Sequence, residues 1–328
     1  MAVQQSSGGV RMSAPSDDAR TGGRERTSGI VERSRRSRLS AADRRFKWTL
    51  SMPAVGFTFL MILLPLAYTV FISLTNAKGS LSRPFSFVGL ENYAALLTDT
   101  GRFLPAVGRT VLFTGVAVLL ELALGLAVAL LLAKSFRGER WVRVSVLLPI
   151  VVTPVAVAMM WMMFFQPTLG AANEIMRFLG LPEQTWVSDP SMALWLLILV
   201  DVWQWTPMVM LILLAGLVSL PSDPIEAAHI DGASPAQRLL YVTLPMLRPA
   251  IVAAVLLRTI DALKTFDILY TMKGPGGGSL HEVETLNLYG YALSFQYADY
   301  GLASAMLVLF ILLVLGLTVV LLRTRKVD

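Results

Sequence analysis

The chain has 328 residues, 55% of them hydrophobic and 15% charged, with no cysteine and a formal net charge of +6. Soluble domains typically carry about 45 to 50% apolar and about 25% charged residues, so the composition excludes an ordinary soluble protein and points to an integral membrane protein. The missing cysteine excludes disulfides, thiol chemistry and cysteine-ligated metal.

Residues 1–46 are rich in Ser, Gly and Arg and poor in apolar side chains, which predicts a disordered basic tail. Its basic run, Arg33 to Lys47, meets Phe46 and Trp48 at its end. Aromatic residues at the membrane edge, rather than interleaved with the basic ones, suit an anchor on anionic lipid and argue against nucleic acid. Residues 47–328 form the predicted transmembrane domain.

Six apolar runs are long enough to cross a hydrocarbon core of about 30 Å as helix: Trp48–Leu74, Val107–Ala133, Trp141–Phe165, Met192–Leu220, Pro249–Met272 and Gly301–Leu322. The first is too long, and has too many successors, for a cleaved signal peptide. Glu121 is a lone acid in the second span, where pairing with Arg258 or Lys264 is the expected role and a proton relay the other reading. Met159, Met160, Met162 and Met163 in the third are expected to fill core.

The fourth span holds Asp201-Val-Trp-Gln-Trp-Thr-Pro207. Asp201 and Trp205 share a helix face, and Pro207 lacks an amide proton, which predicts a bend or break there. Ring faces beside an amide and a carboxylate suit a polyhydroxylated ligand. Gln204 and Trp205 are therefore candidates for a cavity wall, and Trp203 for packing.

Between the fourth and fifth spans lies a polar stretch, residues 223–249. Asp223, Pro224 and Glu226 read as a helix start and Gly232 as its stop; Ser234, Pro235 and Gln237 repeat the start signal. Two short helices with a fixed elbow are predicted, where helix connections usually run 2 to 8 residues. In the fifth span Arg258, Asp261, Lys264 and Asp267 recur every third residue with alternating sign. Successive members step back by about 60° on a helix, so the four share one side and must face other helices or a wet cavity. A self-neutralised packing face and a part of the transport path both fit.

Lys and Arg set the orientation, because cytoplasmic loops retain the excess. With both termini inside, cytoplasmic segments hold 20 of the 28 basic residues and external loops only six. That arrangement, N-in and C-in, puts the hairpin in the cytoplasm. His229 and His281 show no metal-ligand spacing, and Gly274 to Ser279, which lacks a Gly-Lys-Ser/Thr ending, reads as an external turn. No Walker motif is present, so any ATP-driven process needs a separate ATPase.

Glu226-Ala-Ala228, Asp231-Gly-Ala233, Thr243-Leu-Pro245 and Arg248-Pro249 resemble the EAA motif of permease subunits in binding-protein-dependent ABC importers. Arg258 to Tyr270, Tyr289-Gly-Tyr291 and Gly301 to Ala305 resemble the carbohydrate-uptake branch, with maltose-like and glycerol-phosphate-like systems. The turn reads Lys-Gly-Pro-Gly-Gly where the family more often has Gly-Gly-Pro. The resemblance implies an all-α membrane fold of six transmembrane helices with a cytoplasmic EAA coupling hairpin between helices 4 and 5. It implies a second permease subunit, an ABC ATPase dimer that binds ATP and magnesium, an extracytoplasmic binding protein and a sugar substrate, with no catalysis and no cofactor in this chain. Glu226 would face the ATPase, Ala227 and Ala228 would allow close approach, Gly232 would form the elbow, and Leu244 and Pro245 the return to the fifth span, with Asp231 among the same coupling residues. A substrate path would draw on Asp201, Gln204, Trp205, Arg258, Asp261, Lys264 and Asp267. Another small polar solute such as glycerol phosphate, or an ion-coupled secondary transporter, are the other readings.

Overall fold

A computed structural model describes residues 51–82, 84–134 and 136–324. The predicted tail, residues 1–46, lies outside these residues. The chain divides into two compact units, ending and starting at Leu66 and Ala67. The first contributes most of helix α1, Ser51–Ser73, which is apolar along its length and largely exposed.

In the second unit the order is α2 (Glu91–Thr98), α3 (Phe103–Leu132), α4 (Glu139–Val151), α5 (Pro154–Phe164), α6 (Ala171–Phe178), α7 (Pro190–Val218), α8 (Asp223–Ile230), α9 (Pro235–Arg238), α10 (Leu244–Leu263), α11 (Asp267–Lys273), α12 (Leu286–Tyr291) and α13 (Tyr300–Thr324). The only β contacts among the described residues are the isolated bridges Thr75 to Phe87 and Lys78 to Asp299. Five helical stretches are long and apolar enough to cross a membrane, and α4 with α5 make a sixth if counted as one span.

That sixth span is not one helix. The expected run Trp141–Phe165 is cut at Val152 and Thr153, and α4 and α5 meet at 102°. Pro154 is the cause: it offers no amide proton and pushes the preceding residue to extended backbone, and Thr153 has φ −64 and ψ 143. Of the bend or break expected at Pro207, the break does not occur: α7 runs unbroken from Pro190 to Val218 with Pro207 inside it. The four methionines of α5 also depart from expectation: all are exposed, and Met163 is 74% so. The inward face of α5 is instead Val157 and Ala158, beside Trp161, which stacks on Phe165 and meets Trp203 edge-on at 5.6 Å. Trp203 thus packs, as its position predicts.

α3 and α7 make the most extensive helix contact and α10 lies against both. Small residues set their spacing, as is usual between membrane helices. A Cβ on Gly125 would sit 3.0 Å from Val209 Cγ1, and one on Gly216 only 2.6 Å from the Ala250 Cβ. At one end of the bundle Ala129, Met210, Leu213 and Leu247 form a core, and at the other Leu96, Phe103, Leu263, Leu286 and Met306 form a second.

Candidate functional site

Two helix breaks meet at one place. α10 ends at Leu263 and α11 begins at Asp267, so the stripe predicted on one helix is split: Arg258 and Asp261 lie on α10, Lys264 caps its end, and Asp267 opens the next helix. α11 packs on α5, whose first residue, Pro154, is the other break. Between them opens a cleft of about 110 Å³ walled by Pro154, Trp205, Asp261, Lys264, Phe266 and Asp267. Irregular backbone at membrane depth is tolerated where protein or a wet cavity covers it. Lys264 and Asp267 make no ion pair among the described residues, which leaves an ammonium, carboxylates and two aromatic rings facing one polar space.

The other three predicted residues stand behind this wall. Gln204 is buried and donates from Nε2 to the Val152 carbonyl at 3.1 Å, meeting a backbone acceptor that the α4–α5 break exposes. Arg258 is 1% exposed and reaches three carboxylates from three helices: Nε to Glu121 Oε2 at 2.6 Å, Nη2 to Asp201 Oδ2, and Nη1 to Asp261 Oδ2 at 3.0 Å. Its guanidinium also lies 5.3 Å from the Trp205 ring centre, a cation–π contact. The expected pairing of Glu121 with Arg258 is therefore present. Arg258 joins the buried charges to Asp261 and Trp205 on the cleft wall.

A second arginine site at the far end of α3 is not foreshadowed in the sequence. Asp99 accepts the amides of Gly101, Arg102 and Phe103 at 2.9 to 3.1 Å and caps the chain's entry into α3. Burial pushes the Asp99 carboxyl up, but those amides and the Tyr289 phenol outweigh it and hold the carboxyl below its usual range. Arg102 donates through Nε and Nη2 to the wholly buried Glu284, through Nη1 to Tyr297 Oη at 2.9 Å, and lies over the Tyr289 ring. Burial opposes its charge, yet Glu284 and Tyr297 make the guanidinium hold its proton more tightly than usual. Arg102 and Glu284 are 182 residues apart, so no local pattern could have paired them.

The hairpin forms nearly as its residues predict. Ser234 accepts from the Gln237 amide at 3.3 Å and the Gln237 side chain accepts from the Ser234 amide at 2.8 Å, a complete capping box. Gly232 has φ +81 and hands the turn on, with the Ala233 amide bonded to the Ala228 carbonyl at 3.0 Å, the glycine-terminated helix end that L side chains disfavour. Two details differ. The first helix begins at Asp223, after Ser222, which makes no side-chain capping bond, so the cap expected from Asp223 is absent at an end where boundaries vary by a residue. The second short helix is not separate from the fifth span: Pro235–Arg238 continues through a π turn, Leu239–Thr243, into α10. Pro245 and Pro249 lack the amides that a regular ladder needs there.

Glu226, Ala227, Asp231, Gly232 and Pro245 are exposed, and Ala228 and Leu244 partly so. Apolar side chains crowd the same surface: Ile230 is 85% exposed, Tyr241 76% and Leu240 56%. Small residues among exposed apolar ones on a rigid double turn make a surface shaped for contact.

Residues 121–326 match the family described as binding-protein-dependent transport system inner membrane component. The chain belongs to this family. It is 36% identical over 290 residues to the trehalose/maltose transport system permease protein MalF of Thermococcus litoralis, covering 88% of this chain and 97% of that permease. It is 34% identical over 268 residues to the trehalose transport system permease protein SugA of Mycobacterium tuberculosis, covering 82% and 84%. Among solved structures, a bacterial ABC transporter involved in the import of the acidic polysaccharide alginate has a chain with the same fold, at a TM-score of 0.75 and 20% identity, over 89% of this chain and 100% of that one. As a permease of this family the chain is a multi-pass membrane protein without catalytic activity, and ATP hydrolysis belongs to separate subunits.

Proposed function

We propose that this permease is one of two different membrane subunits of an ATP-driven importer for a sugar or oligosaccharide. Its termini and hairpin lie in the cytoplasm, and an extracytoplasmic binding protein delivers the solute. The observation that carries the coupling role is the hairpin itself: exposed, turned at Gly232, capped at Ser234 and continuous with α10. Glu226, Ala227 and Ala228 face a cleft on the ATPase dimer, and Asp231, Gly232, Leu244 and Pro245 keep the two limbs at a set angle. Closure of the nucleotide-bound dimer displaces the hairpin, and ordered helices pass that displacement on where a flexible loop would absorb it.

The sugar assignment rests on the named relatives and on the cleft. Trp205 and Phe266 offer ring faces to the C–H surface of a pyranose, while Asp261, Lys264 and Asp267 offer hydroxyl partners. Asp201, Gln204 and Arg258 hold that wall from behind.

Reconstitution of the complete transporter tests both parts. Stimulation of ATPase by loaded binding protein should fall at least tenfold in Gly232→Pro, whose ring cannot adopt a positive φ, and in Glu226→Lys. Undiminished stimulation in both would sink the coupling role. Trp205→Ala and Lys264→Ala should lower sugar uptake while assembly is unchanged; normal uptake in both would refute the cleft assignment.

A further inference from the structure

Glu121 on α3 and Asp201 on α7 are wholly buried, and the Arg258 guanidinium from α10 lies between them. The charged groups that face this pair are Arg258 and, beyond it, Asp261, whose side chain is 44% exposed. Lys264 makes no ion pair among the described residues and lies on the cleft wall. The enclosed unit therefore holds two carboxyls and one cation. With both carboxyls ionised, it would bear a net negative charge inside an apolar bundle, where ionised side chains need partners.

The oxygens that face away from the guanidinium give a second, independent observation. Glu121 Oε1 and Asp201 Oδ1 are both buried and have no hydrogen-bond partner among the described residues. An ionised carboxylate can only accept, so two such atoms cannot satisfy each other; a protonated carboxyl becomes a donor and can. The two carboxyls share one guanidinium, which both contact, and like carboxylates sharing a site do not both ionise.

We propose that Glu121 and Asp201 hold one proton between them, making the pair with Arg258 an electrically neutral unit that joins α3, α7 and α10. The ligand of this site is a proton taken from water. It does not depend on the identity of the transported solute. The folded chain then keeps a proton that the unfolded chain releases at neutral pH, so its stability falls as pH rises and the pair is forced to give the proton up.

Infrared spectroscopy on the full chain with its partner subunits in lipid nanodiscs tests this. At neutral pH the wild type should show a carboxylic-acid C=O band that shifts in D2O and fades as pH rises. Glu121→Gln or Asp201→Asn should remove it, because a carboxamide is neutral without a proton. Between about pH 7 and about pH 10 the melting temperature of the wild type should fall more steeply than that of either variant. No acid band at neutral pH, or a band that both variants leave in place, would overturn the proposal. So would a wild type without the band whose melting temperature rises with sodium, which would assign a metal cation to the orphaned oxygens. Should Glu121→Gln fail to assemble, the wild-type spectrum and Asp201→Asn decide.

Discussion

Arg258 lies among three long helices with two wholly buried carboxylates, Glu121 and Asp201, whereas Arg102, just before α3, meets only one, Glu284, and gives its remaining donor to Tyr297. The outer arginine is 24% exposed and the inner 1%. At the outer site the buried anion meets a half-buried cation that also lies against two aromatic rings. At the inner site charge and hydrogen-bond geometry do not balance until a proton is added. The same pair of functional groups thus makes a fastening at the rim and a titratable joint in the interior.

Removing each arginine should separate the two sites most sharply. Arg258→Met strands two buried carboxyls, and unfolding in denaturant should show a loss of about 3 to 5 kcal/mol. Arg102→Met leaves Glu284 without its counter-charge nearer to water, at about 2 to 3 kcal/mol. Equal losses would erase the contrast. Asp99→Ala removes the cap beside Arg102 and should cost about 1 kcal/mol. Because the Asp99 carboxyl is held below its usual range in the folded chain, its contribution is present above the unfolded value of about 3.9 and is lost as pH falls through the lower folded value. The melting temperatures of wild type and Asp99→Ala should therefore converge in acid, opposite to the alkaline trend expected for Glu121 and Asp201. The smallest effect belongs to Asp261→Asn, since a half-exposed partner is worth less than about 1 kcal/mol; a larger thermal shift would mean that Asp261 shares fully in the inner site.

What the residues announced in advance follows from range. Ser234 and Gln237 are three apart, and their capping box could be read directly. So could the apolar spans and the shared helix side of Arg258 and Asp261. The cost of a lone acid in a membrane helix points Glu121 to Arg258 or Lys264, and the structure selects Arg258, 137 residues away. Asp201 could not be placed with them, because its share in the cluster depends on how closely α3, α7 and α10 approach at Gly125 and Gly216. The two prolines show the same limit. Pro154 cuts its span and Pro207 does not: Thr153 takes up extended backbone before Pro154, while α7 holds Pro207 on its buried face. Nothing within either segment distinguishes them. Asp261, Lys264 and Asp267 of the cleft wall belong to one predicted helical stripe, but the cleft itself exists because that helix stops at Leu263.

The continuity of Pro235 through Leu263 gives the hairpin mechanical reach. At about 1.5 Å per residue this rod is about 40 Å long, so a tilt of about 5° at its hairpin end would swing the other end through about 3 to 4 Å. Arg258 is bolted to the rod about five residues short of its tip, and Asp261 and Lys264 lie at the tip itself. A small push at the elbow would arrive at the cleft as a displacement comparable to the width of a water molecule. In the proposed coupling, the π turn at Leu239–Thr243, with its widened register, would be where such a rod gives, and its stiffness would decide how much of the stroke is delivered.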